Sequence, residues 1–199
     1  MGIGKQAKIL NKSQIDVVRS YLRSGRNGVR NELMFLLSIK AGLRSKEIAS
    51  LKWIYVLNPD NTISDTINLP NVASKGNSGR EIPINKDLKV VLNDLYTKSS
   101  KGRKFDPTND FVITTERSKS TSAQSVVNFF HSTYKRLGLT GCSSHSGRRT
   151  FITNVARKIS TVGGSMRDVQ MLAGHSTLQT TQRYVEGSSE SKIKVVNLI

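Results

Sequence analysis

The sequence predicts an α+β fold that is mainly helical and contains one small antiparallel β-sheet. Hydrophobic residues recur at helical spacing over most of the chain, and a short central stretch resembles two β-strands. Of the 199 residues, 36% are hydrophobic, which suffices for a substantial core. We expect one domain over residues 11–187, a basic extension at residues 1–10 and a tail at residues 188–199.

The first third of the chain is predicted to be helical. In NKSQIDVVRSYL, Ser13 is a candidate N-cap ahead of apolar residues at helical spacing. Residues 31–42 are apolar nearly all round, which indicates a central buried helix ended by Gly42. Ser45 is the expected N-cap of the next helix, which carries Glu47 in its first turn.

The predicted sheet occupies the middle of the chain. Two strand-like pieces, residues 66–69 and 80–84, are joined by a segment rich in Gly, Ser and Asn that contains Lys75. This pattern predicts an antiparallel pair with a mobile hairpin. Helical signals then resume in KDLKVVLNDLY, AQSVVNFFHSTYKRL, GRRTFITNVARKI and MRDVQMLAG, and a last helix is expected in LAGHSTLQTTQRYVE.

The charge predicts a polyanionic partner. Thirty-one Lys and Arg against 14 Asp and Glu give a formal net charge of +17, which is more than an enzyme acting on a neutral metabolite needs. A solvated basic surface without specific DNA chemistry is the alternative that composition alone leaves open.

The single cysteine and the hydropathy restrict the class of protein further. Cys142 alone rules out an internal disulfide or a cysteine-based zinc site, and we interpret it as a packing residue in a reducing, cytoplasmic protein. No apolar run approaches the roughly 20 residues that span a bilayer, and MGIGKQAKIL lacks the apolar stretch of a secretory signal.

The C-terminal segment IKVVNLI is apolar, unlike the polar residues before it. It can be a last strand or helix on its own domain. It can also dock on a neighbouring subunit, because an apolar terminus in water favours association.

Cations stand at three predicted helix starts, where the helix dipole disfavours them. Arg44 precedes one cap, His145 and Arg148 open another helix, and His175 precedes a third. A shared bound anion would make all these placements favourable. Taken singly, each residue has an ordinary structural explanation, and we interpret His131 as structural.

Tyr184 follows His175 by nine residues. Ser176 with Gln179 forms a potential capping box, so a helix is expected to begin there. On one straight helix the tyrosine would then stand about 13 Å beyond the histidine. Spacing alone therefore does not distinguish a core tyrosine from a nucleophile.

In their order and separation, AGLRSKEIASLKW, a lysine in a strand-linking hairpin, HSGRRTF and LAGHSTLQTTQRY resemble the tyrosine recombinases of the phage integrase family. The resemblance covers residues 11–186 and implies the catalytic-domain fold of that family. It also implies the catalytic set Arg44, Lys75, His145, Arg148, His175 and Tyr184.

The resemblance implies site-specific DNA cleavage and rejoining. Tyr184 would attack a phosphodiester and form a 3′-phosphotyrosyl link, while Arg44, Arg148 and His175 would stabilise the charge on the nonbridging oxygens. Lys75 would protonate the leaving 5′ oxygen. His145 would act as a base or proton carrier towards the tyrosine, with neither a metal nor another cofactor.

The implied partners are double-stranded DNA, further copies of the chain in a tetrameric synapse, and accessory DNA-bending proteins. The location implied is the nucleoid, or the host cell for a viral protein. A noncleaving DNA-binding regulator on the same fold and a type IB topoisomerase are the alternative functions.

The sequence departs from the family pattern in three respects. Few residues precede the first helix where typical members have a DNA-clamping domain, which indicates either a separate catalytic domain or a minimal member of the family. Lys86 and Lys101 compete with Lys75 for the lysine position. Ser146 and Gly147 replace a bulky apolar residue before the arginine, which is expected to loosen that turn.

Overall fold

The structure, a computed structural model, describes residues 6–74, 78–101, 104–184 and 196–197. Over these residues it contains eight α-helices and one two-stranded antiparallel sheet, so the predicted fold class is confirmed. In chain order the elements are α1 (Lys12–Ser24), α2 (Gly28–Lys40), α3 (Ser45–Ala49), β1 (Thr66–Leu69), β2 (Arg80–Pro83), α4 (Lys86–Ser99), α5 (Ala123–Arg136), α6 (Ser146–Lys158), α7 (Met166–Ala173) and α8 (Leu178–Gln182). None of the helices in these ranges is both long and apolar enough to cross a bilayer.

The cap of α1 is Asn11, so the prediction of Ser13 is wrong. The Asn11 side chain accepts a hydrogen bond from the Gln14 N–H at 2.9 Å, and the Gln14 side chain accepts one from the Asn11 N–H at 3.0 Å. This reciprocal pair satisfies two of the donors that a helix start leaves open, and it places Ser13 inside the first turn.

The bounds of α2 also differ from the prediction. The helix begins at Gly28, three residues early, because Asn27 adopts a left-handed conformation with φ 59°. Gly42 terminates it as predicted. With Gly42 at φ +66°, the Leu43 N–H reaches back to the Leu37 carbonyl at 3.0 Å.

The main core surrounds α2. All residues of α2 from 32 to 39 are buried, including Glu32, whose carboxylate accepts hydrogen bonds from Arg19 and Arg23. Cys142 packs against this core, as predicted. A second, smaller core lies between α6 and α7 and consists of Ile152, Ala156, Val169 and Ala173.

The two strands form the predicted antiparallel pair. Their register runs from Thr66 opposite Pro83 to Leu69 opposite Arg80. Ile67 is fully buried in the main core, and its partner Ile82 is 1% exposed. The sheet is therefore fixed to the core by one face, and Arg80 marks the end from which the chain continues into residues 70–79.

The predicted extension and tail remain predictions. Leu10, in the predicted extension, is buried, and its N–H donates to the Thr150 hydroxyl at 2.9 Å. Of the tail, only residues 196–197 are among those described, so the docking segment lies largely outside them.

Helices α2 and α6 approach each other closely at Gly147. A Cβ atom at this position would lie 2.4 Å from Ser38 Oγ and 2.9 Å from Ser38 Cβ. Ser146 is fully buried, and its hydroxyl oxygen accepts a hydrogen bond from the Ser143 N–H at 3.0 Å. The expectation that small residues loosen this turn is therefore wrong, because they allow the two helices to pack more tightly.

We expect Gly147→Ala to destabilise the protein by about 1 kcal/mol or more, because overpacking, at about 1–3 kcal/mol, outweighs the better helix propensity of alanine. Urea unfolding would measure this loss. Gly25→Ala is the control, since a Cβ there meets its nearest atom at 3.7 Å, and its free energy of unfolding should change by no more than about 0.5 kcal/mol. Equal midpoints for the two variants would contradict the close approach.

Candidate active site

Three arginines converge on the C-terminal carbonyls of α7. Arg80 Nε donates to the Leu172 carbonyl at 2.9 Å, and Arg148 Nη2 donates to the Ala173 carbonyl at 2.5 Å. Arg44 Nη2 donates to the Gly174 carbonyl at 3.2 Å. A helix C-terminus leaves its last carbonyls unpaired and carries a partial negative charge, so it favours cations. Arg80 belongs to β2, Arg148 to α6 and Arg44 to the cap of α3, and all three side chains meet at the end of α7.

Glu47 supplies the only carboxylate that pairs with these arginines in the described part of the chain. It is fully buried, and it accepts hydrogen bonds from the Arg44 side chain at 2.7 Å and from Arg80 at 3.0 and 3.2 Å. It also accepts one from the Arg44 N–H at 2.8 Å, which makes Arg44, and not Ser45, the cap of α3. Burial opposes the charge, but the hydrogen bonds and charges of Arg80 and Arg44 outweigh it and lower the pKa of Glu47.

Arg148 is 5% exposed and is held from two sides. Besides the Ala173 carbonyl, it donates from Nη1 to the Gly42 carbonyl at 2.6 Å. Burial, reinforced by the positive charge of Arg44, lowers the pKa of Arg148 to about 9. The guanidinium remains protonated at neutral pH, but its charge is under-compensated, so an anion would bind there favourably.

His175 follows the left-handed Gly174, which has φ +60°. Its Nδ1 lies 3.0 Å from the Thr181 hydroxyl, and its ring stacks on that of Tyr184 with the centroids 5.5 Å apart. Burial, together with the charges of Arg148 and Arg44, lowers the pKa of His175 to about 4. The imidazole is therefore neutral at pH 7.

The stacking corrects the expected separation of about 13 Å along one helix. Helix α8 has only five residues and its N-cap is Thr177, so the predicted capping box of Ser176 with Gln179 is wrong by one position. His175 lies before the cap and Tyr184 after the end of the helix. The distance between His175 and Tyr184 is therefore not that of nine residues along one helix, and the two rings stack.

Two cavities border these side chains. One of about 430 Å³ is lined by His145, Arg148 and Tyr184 among others, and one of about 980 Å³ is lined by Arg44, Arg80 and His175 among others. Both include Thr180 in their linings. His145 is the N-cap of α6 and is exposed. The structure thus brings together five of the six predicted residues: Arg44, His145, Arg148, His175 and Tyr184.

Lys75 lies outside the described residues. Of the two competing lysines, Lys86 is the first residue of α4, and Lys101 lines a separate cavity with Trp53 and Phe105. The lining of that cavity shares no residue with the cavities at the candidate active site. Among the residues that the structure describes, no group of three or more His, Cys, Asp or Glu could hold a metal ion.

Sequence reasoning missed two members of the cluster. Glu47 appeared only as a favourable acidic residue in a first helical turn, and Arg80 as one more cation in a basic chain. The side chain of Arg80 is 6% exposed and that of Glu47 is fully buried. Only the position of Glu47 three residues after Arg44 was a signal, because that spacing fits a capping box.

The chain is similar to known proteins over most of its length. The profile of the phage integrase family matches residues 8–190. The tyrosine recombinase XerC of Lactobacillus leichmannii is 28% identical over 181 residues, which are 88% of this chain and 58% of that protein. The chain therefore spans little more than half the length of the relatives it matches, 53% for the XerC of Staphylococcus saprophyticus.

Solved structures share the fold. The crystal structure of XerA recombinase superposes with a TM-score of 0.72 at 18% identity and covers 96% of this chain and 64% of its own. The Tn1549 transposon integrase, solved in complex with circular intermediate DNA, gives a TM-score of 0.71 at 18% identity and covers 100% of this chain and 68% of its own.

We expect the imidazole of His175 to titrate near pH 4 in the free protein, well below the ordinary 6.5. Since the unfolded chain binds this proton more tightly than the folded protein, the free energy of unfolding should fall as the pH drops from about 6.5 to about 4. Proton NMR, with the resonance assigned by its absence in His175→Gln, would measure the titration. A midpoint near 6.5 would contradict the burial of this ring beside the arginines.

Proposed function

The chain belongs to the phage integrase family, and from that premise we propose that it cleaves and rejoins DNA at specific sites through a phosphotyrosyl link to Tyr184. The observation that carries the proposal is the contact of the Tyr184 ring with His175 beside Arg44 and Arg148. Arg44 and Arg80 share the Glu47 carboxylate, whereas Arg148 bonds to backbone carbonyls, so the three guanidinium groups together have an excess of positive charge. A phosphodiester would supply the missing negative charge.

The proposed reaction exchanges one ester for another. The Tyr184 oxygen forms a bond to phosphorus as the bond from phosphorus to the 5′ oxygen breaks, and the leaving strand end takes up a proton. The reverse attack of a 5′-hydroxyl restores the DNA and frees the tyrosine. No energy source is required, because the phosphotyrosyl ester conserves the bond energy.

Arg44 and Arg148 would hold the nonbridging oxygens in this reaction. Their fixed geometry suits this role, since each guanidinium is anchored to backbone carbonyls before the substrate arrives. His175 would add a neutral donor. When the Thr181 hydroxyl donates to Nδ1, the ring carries its proton on Nε2 and can donate it to a phosphate oxygen.

His145 and Lys75 would move the protons. His145 is exposed at the cavity that Tyr184 also lines, which supports a role in accepting the tyrosine proton. For Lys75, the role of acid towards the leaving 5′ oxygen rests on the family motif alone. The proposed chemistry uses no metal and no other cofactor.

The proposed substrate is double-stranded DNA, and the net charge of +17 supports it. The Tn1549 integrase, which shares the fold, was solved with DNA bound. Assembly into a tetrameric synapse, with accessory DNA-bending proteins, is part of the proposal. The place of action would be the cytoplasm, where the DNA of the nucleoid lies.

The two alternatives are separable from this proposal. A noncleaving regulator would form no covalent adduct with DNA. A type IB topoisomerase would form the adduct but would relax supercoils without exchanging strands between two duplexes. Strand exchange is therefore the result that identifies a recombinase.

We expect a covalent adduct with duplex DNA that is lost in Tyr184→Phe. The protein would be mixed with randomised or host-derived duplexes and quenched in detergent, and the shifted band would be sequenced. Tyr134→Phe is the control, because Tyr134 is buried and its hydroxyl has no hydrogen-bond partner among the residues that the structure describes. An adduct that persists in Tyr184→Phe would remove this residue as the nucleophile.

We expect DNA affinity to depend steeply on salt. With about eight phosphate contacts, the logarithm of the binding constant should fall against the logarithm of salt concentration with a slope of about −7. Fluorescence anisotropy between roughly 50 and 200 mM salt would measure the slope. A nearly flat dependence would contradict binding through a basic surface.

A further inference from the structure

We infer that Arg80 is a positioning residue for the proposed cleavage reaction. It fixes Arg44 through Glu47, and through the Leu172 carbonyl it fixes the turn at residues 172–175 that carries His175. This inference rests on the proposed function. Arg80 belongs to β2, and neither the family motif nor the sequence pattern assigned it a role.

Arg80 and Arg44 share one carboxylate, that of Glu47. Arg80 donates to both oxygens of Glu47, at 3.0 and 3.2 Å, and Arg44 donates to the same Oε1 at 2.7 Å. A fork that holds both oxygens fixes the carboxylate plane as well as its position. The orientation of the Arg44 guanidinium therefore depends on where Arg80 holds Glu47.

Arg80 also holds the turn that carries His175. Arg80 Nε donates to the Leu172 carbonyl at 2.9 Å, three residues before the histidine. A Cβ at position 174 would lie 2.9 Å from Arg80 Nη1. The turn thus folds directly against the Arg80 side chain, and Gly174 is required both for its positive φ and for this close approach.

The hydrogen-bond donors of Arg80 are engaged by the protein itself. The side chain of Arg80 is 6% exposed and that of Arg44 is 25% exposed. Each nitrogen of the Arg80 guanidinium donates to a protein acceptor, with Nη1 shared between Glu47 and the Ser78 carbonyl at 3.1 Å. Because each of its guanidinium nitrogens already donates to the protein, Arg80 acts on the reaction through Arg44 and the turn that carries His175, and not by contact with the phosphate.

Arg80 also connects the hairpin to the site. It pairs with Leu69 in the last register position before residues 70–79, the segment that contains Lys75. The same side chain bonds to α7 and to Glu47 of α3. One residue thus ties the base of this segment to the elements that carry Arg44 and His175.

The test compares Arg80→Lys and Arg80→Met with Arg157→Met, which removes an exposed arginine at the end of α6. The DNA is the duplex that the unmodified protein captures covalently. Adduct formation would be followed at saturating DNA and corrected for the folded fraction from thermal unfolding. We expect both Arg80 variants to cleave at least tenfold more slowly, with DNA affinity within threefold of the unmodified protein, and Arg157→Met to cleave normally.

The titration of His175 provides a readout that a merely structural role would not move. Arg80 is one of the positive charges that lower the pKa of His175. Arg80→Met should raise that pKa, whereas Arg80→Lys keeps the charge and should leave it nearly unchanged. A slow but correctly titrating lysine variant would show that the fork geometry, and not charge alone, matters for the reaction.

Normal cleavage by both Arg80 variants would overturn the inference. So would a loss of cleavage that only follows the loss of folded protein. If Arg80→Met does not fold, Arg80→Lys decides the question by the same two measurements. If the unmodified protein forms no adduct at all, the proposed function fails, and the His175 titration alone then tests the placement of Arg80. A raised pKa of His175 in Arg80→Met supports this placement, and an unchanged pKa overturns it.

Discussion

The C-terminus of α7 is the feature on which the arrangement of the site depends. Its last carbonyls must find donors, and the carbonyls of residues 172, 173 and 174 find them in arginines from three other elements. The carbonyls of Gln170 and Met171 are used by backbone N–H groups of the following turn. One helix end thus orients three cations at once, because an unpaired buried carbonyl costs more than holding a guanidinium in place.

Glu47 allows the three arginines to lie close together without neutralising their positive charge. One buried carboxylate shared by Arg44 and Arg80 offsets part of the repulsion, while Arg148 keeps backbone carbonyls as its protein partners. Burial, and after it the neighbouring positive charges, lower the pKa values of Arg148 and His175. The positive charge of the cluster is therefore only partly compensated. A bound phosphodiester would compensate the rest, so the free protein is preorganised for an anion.

The packing of α6 on α2 beside the site sets the same geometry. Gly147 lets α6 lie directly against Ser38 of α2, and the Gly42 turn at the end of α2 then presents its carbonyl to Arg148. The small residues before this arginine are therefore a condition for its placement.

The sequence by itself determined the helices and the antiparallel pair, because hydrophobic period and turn residues are local properties. Its ordered motifs, through their resemblance to the tyrosine recombinases, implied five of the residues that meet at the site. Only the tertiary structure decided the roles of Glu47 and Arg80, since these two residues lie 33 positions apart in the chain and the Leu172 carbonyl lies 92 positions beyond Arg80. It also decided the contact between His175 and Tyr184. The separation of His175 and Tyr184 that was expected from their spacing holds only for one continuous helix. The chain instead turns at Gly174 and again at Thr177 before a helix of only five residues.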